Sequence, residues 1–172
     1  MPMKNFDLTQ VSALVVEKHH PMRSMLRGIL RELGLKNVDD VPTIELGFEE
    51  FNKKEPDLVL VDWAPNFDGI GLLHKIRTDP KSNDPFVPII MVTAHSEVDR
   101  VIEARDAGMT EYLAKPVSAQ KLYQRISSIV ESKRQFIRIS EFFGPDRRRQ
   151  SMVHAGDERR GNANGSNIEA DN

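Results

Sequence analysis

The sequence predicts an α/β fold in which a parallel sheet of five strands is covered by helices on both faces. Three short runs, "SALVVE", "DLVLVDW" and "VPIIMVTA", are apolar and rich in β-branched residues, as expected of strands buried on both sides. Segments with helical periodicity separate these runs. Because strands that alternate with helices indicate βαβ units, the sheet is expected to be parallel.

The first half of the pattern runs from the first strand to the central one. A proline opens the helical segment "PMRSMLRGILRELGL", whose apolar residues Met22, Leu26, Ile29 and Leu33 share one face. The second strand is predicted near "VDDVPT", although Pro42 weakens that signal. The helical segment "IELGFEEFNKKE" then leads to the central strand "DLVLVDW".

The second half repeats the alternation. The third helical segment is "GIGLLHKIRTD", and the fourth, "SEVDRVIEARDAG", ends at Gly108, a residue type that commonly caps helix C-termini. The short strand "EYLAKP" is stopped by Pro116. Ser118 is a suitable N-cap for the last helix, "SAQKLYQRISSIVES".

Composition excludes several classes of protein. The formal net charge of −2 indicates no particular partner, and the absence of cysteine excludes disulfides and thiolate metal sites. No apolar run approaches the ~20 residues of a membrane span, so no membrane insertion is expected. The first residues contain no apolar signal-peptide core. These features predict a cytoplasmic protein.

The 172 residues are predicted to divide into a folded domain over 9–132, a helical or apolar extension over 133–143 and a tail over 144–172. The extension contains Phe136, Phe142 and Phe143, and could continue the last helix, fold back onto the domain or form a dimer contact. The tail has almost nothing to bury, so it cannot offset its ordering entropy and is expected to be mostly disordered.

Polar residues collect where the predicted strands end. Ligands of such sheets sit beyond the carboxyl ends of the strands, where Glu17, Lys18, Asp62, Thr93 and Lys115 are expected to converge. Asp62 could act as the nucleophile of a phosphoryl transfer, with Thr93 donating a hydrogen bond and Lys115 balancing the charge. The alternative is a set of purely structural ion pairs.

The segment from about Val11 to Val130 resembles a CheY-type response-regulator receiver domain. The resemblance rests on "LVLVDW" around Asp62, "IIMVTA" with Thr93, "EYLAKP" with Lys115, and "DGIGLLHKIR" after the third strand. It implies a (βα)5 fold with the flavodoxin-like strand order 2-1-3-4-5, and Asp62 as the phospho-acceptor.

The resemblance further implies a cis peptide bond between Lys115 and Pro116 and a switch made by Thr93 and Tyr112. In the family, this pair couples the pocket to the face formed by the fourth helix, the fifth strand and the fifth helix. Output then occurs through that face.

Two departures from the family pattern concern the metal. The family has two acids after the first strand to hold Mg²⁺, whereas this chain has Glu17 and Lys18. The family also has proline four residues after the phospho-acceptor, whereas Pro65 comes three residues after Asp62, so the loop is one residue shorter. The expected metal ligands would be Glu17, Asp62 and the carbonyl of Ala64, and both departures act against Mg²⁺.

Lys18 is therefore predicted to pair with Asp62 in a metal-poor pocket. An ammonium group ~4 Å from the carboxylate would gain about 4 kcal/mol at an effective dielectric near 20, partly offset by desolvation. The adjacent His19 and His20 are predicted to be solvated loop residues.

The tail contains two arginine clusters, "FFGPDRRRQ" and "GDERRG". A solvated basic tail is the ordinary interpretation. However, guanidinium groups bind phosphates, stack on flat rings and pair with guanine, and Asp146 could accept from guanine N–H groups. The tail resembles that of CheY-like proteins whose arginine-rich extension binds cyclic di-GMP. The expected ligand-binding residues are Asp146, Arg147, Arg148, Arg149, Arg159 and Arg160.

The sequence thus predicts a single-domain response regulator of bacterial signal transduction, in chemotaxis or motility, switched by cyclic di-GMP. Its output would be contact with a protein such as a flagellar motor component. The alternative is a conventional phosphorelay switch, phosphorylated on Asp62 by a histidine kinase and with an inert tail. No enzymatic activity is expected beyond self-phosphorylation and autodephosphorylation. Nucleic-acid binding is disfavoured because no recognition helix accompanies the arginines.

Overall fold

The computed structural model describes residues 6–94, 97–132, 136–139 and 142–145. Strands and helices alternate through the first two of these ranges. The strands are β1 (Ser12–Val16), β2 (Asn37–Val41), β3 (Leu58–Trp63), β4 (Ile89–Thr93) and β5 (Glu111–Ala114). The helices are α1 (His20–Glu32), α2 (Ile44–Lys54), α3 (Gly69–Thr78), α4 (Val98–Asp106) and α5 (Ala119–Glu131).

The sheet confirms the predicted fold class. Within the described residues it has five parallel strands in the order β2-β1-β3-β4-β5. The peptide bond between Lys115 and Pro116 is cis, as the resemblance implied. No helix in the described part of the chain combines the length and apolarity that a membrane span requires.

Alternate side chains of each strand pack into two hydrophobic cores, one on each face of the sheet. On β3, Val59 and Val61 pack with residues of α2, α3 and α4, whereas Leu58 and Leu60 pack with residues of α1 and α5. All six residues of β3 are buried. The nearly continuous apolar run of this strand follows from its position at the centre of a sheet covered on both faces.

The register brings the strand ends to the same level. Val16 of β1 is paired with Val61 of β3, so the next residues, Glu17 just beyond β1 and Asp62 near the end of β3, lie at the same level. Thr93 is paired with Ala114, and Lys115 therefore follows directly beyond β5. Residues that are far apart in the sequence thus meet at one edge.

The extension after the domain differs from its prediction. Helix α5 ends at Glu131, and the residues Phe136–Ile139 (β6) and Phe142–Pro145 (β7) form an antiparallel pair, with β7 close to α3. The helical interpretation of 133–143 is therefore wrong for the described residues. Aromatic and β-branched residues favour strands over helices, which explains the difference. The domain boundaries stay predictions.

Candidate functional site

Three of the five residues predicted at the strand ends, Glu17, Asp62 and Lys115, contact one another. Glu17 and Asp62 are buried, with at most 2% of their surface exposed, and Lys115 reaches them from the end of β5, while Thr93 is buried at the end of the neighbouring strand β4. Buried carboxylates need a positive partner or a set of hydrogen bonds to remain charged. The arrangement supplies this partner in Lys115.

Lys115 bridges the two carboxylates. Its Nζ lies 2.7 Å from Oδ1 of Asp62 and 3.2 Å from Oε2 of Glu17. Among the described residues, Lys115 is the cation within ion-pair distance of Asp62. Charge-assisted hydrogen bonds of this kind are stronger than neutral ones, so the bridge fixes the relative positions of both acids.

The electrostatics of the cleft follow from burial. Burial raises the pKa of Asp62 above its ordinary value of 3.8; the hydrogen bond from Lys115 opposes this shift, and the negative charge of Glu17 adds to it. For Lys115, burial lowers the pKa, but the bond to Asp62 and the two negative charges outweigh it, so the net pKa is raised. Lys115 is therefore a permanent ammonium at neutral pH.

The second oxygen of Asp62 is available to a ligand. Its Oδ2 is buried and accepts no hydrogen bond within the described structure. An unsatisfied buried acceptor of this kind costs free energy and often marks a functional site. Asp62 can thus act toward an incoming electrophile or cation through Oδ2 while Lys115 holds Oδ1.

Glu17 has both oxygens engaged. Its Oε1 accepts a hydrogen bond from the backbone nitrogen of His19 at 2.8 Å and lies 3.2 Å from Nδ1 of that ring, and its Oε2 faces Lys115. The ring of His19 is 71% exposed, in keeping with its prediction as a loop residue. The contact of this histidine with Glu17 was not predicted.

Arg23 fixes the loop that carries Glu17, a role that sequence reasoning missed. One of its amino groups donates to the carbonyl oxygens of Glu17 at 2.8 Å and Lys18 at 3.3 Å, and its Nε donates to Asp40 at 2.7 Å. The sequence does place Arg23 one helical turn into α1 and Asp40 near the end of β2, and this pair of opposite charges is the signal that could have predicted the contact. This clamp connects α1, the loop and β2.

The prediction that Lys18 pairs with Asp62 is wrong. Lys18 is exposed, and the positive charges that influence the pKa of Asp62 belong to Lys115 and His19. The carbonyl of Lys18 is held by Arg23, and the chain turns into α1 directly afterwards. Because Glu17 faces the cleft, the side chain of the next residue in this extended stretch points to solvent.

The predicted switch pair lies on neighbouring strands. Thr93 is fully buried at the end of β4, and Tyr112 occupies β5 opposite Met91. The Tyr112 hydroxyl is buried without a hydrogen bond of ordinary length. Burial raises the pKa of Tyr112, while the nearby Thr93 hydroxyl lowers it. Thr93 and Tyr112 therefore lie on adjacent strands. A coupled movement of the two side chains stays a prediction.

Comparison with known proteins agrees with this geometry. The family model of the response regulator receiver domain matches residues 13–127. The chain belongs to this receiver family. Chemotaxis protein CheY of Pseudomonas aeruginosa is 33% identical over 119 residues, covering 69% of this chain and 94% of that protein. CheY-3 of Vibrio cholerae is 32% identical over 119 residues, covering 69% and 90%.

Solved receiver structures share the fold. A putative response regulator from Chloroflexus aurantiacus aligns with a TM-score of 0.62 and 28% identity, covering 72% of this chain and 100% of that one. The receiver domain of an Arabidopsis thaliana histidine kinase, complexed with Mg²⁺ and BeF3−, aligns with a TM-score of 0.59 and 23% identity, covering 70% and 92%. At that identity, the second structure shows the fold alone.

The loop of this receiver domain after Asp62 closes as a tight turn. The backbone groups of Ala64 and Phe67 pair in both directions, with Phe67 N donating to Ala64 O at 2.9 Å and Ala64 N donating to Phe67 O at 3.3 Å. Pro65 occupies the second position of the turn, where its fixed φ is favourable. The predicted metal-ligating carbonyl of Ala64 is therefore a hydrogen-bond acceptor inside the turn.

The start of α3 packs directly on strand β3 of the receiver domain, at Asp62. Asp68 caps the helix by accepting a hydrogen bond from Gly71 N at 2.8 Å. A Cβ at Gly69 would lie 2.2 Å from the carbonyl oxygen of Asp62, so only glycine fits there. The "DG" pair thus brings the helix onto the backbone of Asp62.

Receiver domains commonly bind Mg²⁺, but the donors present here do not fit an octahedral site. No group of three or more metal-ligating side chains forms within the described residues. Of the three predicted ligands, Asp62 has an oxygen without a hydrogen-bond donor among the described residues, whereas the oxygens of Glu17 and the carbonyl of Ala64 already accept hydrogen bonds that a metal would have to share. The predicted cyclic di-GMP residues, from Asp146 to Arg160, lie outside the described residues.

Proposed function

We propose that this receiver domain is a single-domain, CheY-like regulator of chemotaxis or motility that acts in the cytoplasm by docking to a protein. The observation that carries the signalling role is the cleft in which Lys115 joins Asp62 and Glu17 beside Thr93. A buried acid held by a lysine at a strand end suits a switch, since a change at Asp62 alters the hydrogen bond that holds Lys115.

The docking face is the surface of α4, β5 and α5. On α4, Val98 is 72% exposed and Ile102 is 38% exposed, so this helix presents apolar side chains to solvent. Thr93 and Tyr112 lie on the neighbouring strands β4 and β5, and β5 is part of this face. A partner such as a flagellar motor component would bury these side chains on binding.

We propose further that cyclic di-GMP switches the protein through its arginine-rich tail. The supporting observation is the sequence: five arginines and Asp146, with no lysine after Lys133, match the phosphates and guanine edges of this ligand. The closed turn at Ala64 and the outward Lys18 also leave Asp62 poorly equipped for conventional metal-assisted phosphorylation. A nucleotide signal would not need that chemistry.

Calorimetric titration of the full chain with cyclic di-GMP is expected to show binding in the micromolar range or tighter. A replacement of Arg147, Arg148 and Arg149 by lysine is the matched variant, because it keeps the charge but removes the planar forks. We expect that variant to lose at least about tenfold in affinity. A chain truncated after Phe143 should not bind at all.

Equal affinities of the full and truncated chains would contradict the role of the tail. The dependence on salt separates this ligand from nucleic acid, since nonspecific DNA binding weakens steeply as the salt concentration rises. The titration with guanosine monophosphate is a further control. If the protein bound guanosine monophosphate with an affinity similar to that for cyclic di-GMP, the two guanines of cyclic di-GMP would not be recognised together.

The alternative function is a phospho-switch in which a histidine kinase phosphorylates Asp62. The free, buried Oδ2 of Asp62 favours this alternative. Under our proposal, incubation with acetyl phosphate and Mg²⁺ should give no stable mass gain of one phosphate. A gain that disappears in Asp62→Asn, together with an inert tail, would establish the alternative instead.

A further inference from the structure

We propose that Lys115 is the cation that partly neutralises the pocket of this receiver domain, and that the pocket does not bind a divalent cation at Asp62. The proposal rests on the arrangement of oxygen donors around Asp62, and it stands whether or not the tail binds cyclic di-GMP. Three groups, discussed in turn below, do not provide the oxygen ligands that a divalent cation needs: the carbonyl of Ala64, the side chain of Glu17 and the residue at position 18.

The first group is the carbonyl of Ala64. The loop after Asp62 is closed by two backbone hydrogen bonds between Ala64 and Phe67, one of which ends on this carbonyl oxygen at 2.9 Å. A longer loop would leave the carbonyl outside such a turn. If this carbonyl ligated a metal, its hydrogen bond from Phe67 N would weaken, and with it the turn that connects β3 to α3.

The second group is Glu17. Its Oε1 is held by the backbone nitrogen of His19 and its Oε2 by Lys115, and none of the residue is exposed. Both oxygens therefore have donors already. A cation approaching Glu17 would therefore meet the ammonium of Lys115 at Oε2 and the loop amide at Oε1.

The third group is Lys18, which stands at the position of an expected acid and faces solvent. The cleft then holds two carboxylates and one ammonium, for a formal charge of −1. Mg²⁺ requires near-octahedral oxygen coordination and gives up its waters reluctantly, so a single free oxygen of Asp62 and a net charge of −1 provide little binding free energy.

Trp63 provides a direct measurement. It is the only tryptophan of the sequence, it adjoins Asp62, and it is 7% exposed, with the guanidinium of Arg100 5.2 Å from the centre of its ring. Titration of the full chain with MgCl2 at constant ionic strength is expected to leave its fluorescence without a saturable change. Calorimetry over the same range should show no binding heat.

Restoring the missing donors should create the site. The test variants are Lys18→Asp, an alanine inserted between Ala64 and Pro65, and the combination of both. We expect the combined variant to show saturable binding of Mg²⁺ that is at least about tenfold tighter than in the wild type. Lys18→Ala is the control, since it removes the positive charge without adding a ligand.

Each outcome decides for or against the proposal. Saturable binding by the wild type that Asp62→Asn removes would overturn it. Failure of the folded combined variant to bind would also overturn it, because the missing donors would then not be the cause. Recovery in Lys18→Ala alone would show that repulsion, and not ligand geometry, excludes the metal. None of these readouts involves the tail, so the cyclic di-GMP titration can fail or succeed separately.

Discussion

Replacing Lys115 by methionine is expected to lower the free energy of unfolding by about 3–5 kcal/mol at neutral pH. The side chain bridges Asp62 at 2.7 Å and Glu17 at 3.2 Å, and both acids are buried. Methionine fills similar space but leaves two carboxylates without a shared cation. Urea unfolding followed by circular dichroism would measure the loss.

The loss should depend on pH in a defined direction. Burial already raises the pKa of Asp62 above 3.8, and without Lys115 the pKa would rise further. The folded variant then binds protons that the unfolded chain has released. Its stability should therefore fall as the pH rises from about 4 to neutrality, and the difference from the wild type should become small in acid.

A double variant separates the charge from the packing of the lysine. Adding Asp62→Asn to Lys115→Met removes one of the two uncompensated charges, so the double variant should recover a large part of the lost stability. Asp62→Asn alone should not be destabilising, because burial disfavours the charged form of this acid. Equal losses in the single and double lysine variants would show that packing, and not charge, gives Lys115 its role.

The sequence was sufficient for the fold and for most of the pocket. Short β-branched runs predicted the strands, and parallel strands bring their carboxyl ends to one edge, where Asp62 and Lys115 contact each other. The receiver resemblance supplied the strand order. These features follow from periodicity and topology, which a sequence carries directly.

The direction of side chains in loops could not be predicted in the same way. Lys18 was expected inside the pocket because its sequence position follows Glu17, but the turn into α1 and the clamp by Arg23 point it outward. The closure of the Ala64 turn is a hydrogen-bonding detail of a four-residue segment. Both depend on local backbone angles, which hydrophobic patterns do not specify.

Arg77 is the clearest residue that periodicity misses. An arginine in the last turn of a helix usually faces solvent and interacts with the helix C-terminus. Here it is 1% exposed at the end of α3. Burial lowers the pKa of Arg77 to about 9, so the guanidinium remains protonated at neutral pH. Its shortest hydrogen bonds go to backbone carbonyls, which leave no trace in the sequence.

Replacing Arg77 by leucine is expected to destabilise the protein by about 3–5 kcal/mol. The guanidinium donates to the carbonyl oxygens of Pro85 and Val87 at 2.8 Å each and of Gly108 at 3.0 Å. Leucine would leave these acceptors without their donors in a buried region. Urea unfolding gives the magnitude, and Arg105→Leu is the matched control, since that arginine is 46% exposed and should change stability by less than about 0.5 kcal/mol.

The backbone amides that lose protection from hydrogen exchange in Arg77→Leu would identify the segments that Arg77 holds together. Its three carbonyl partners belong to the segment before β4 and to the turn that ends α4, where Gly108 has a φ of +97°. Hydrogen exchange in Arg77→Leu should therefore become faster first at residues 84–87 and 108–110, before the sheet opens.

Arg77→Lys should recover only part of the stability, because one ammonium cannot reach three separated carbonyls in the geometry of a guanidinium. Full recovery in the lysine variant would mean that a positive charge is sufficient. In that case α4, and the docking face it forms, would be anchored by electrostatics and not by this set of directed hydrogen bonds.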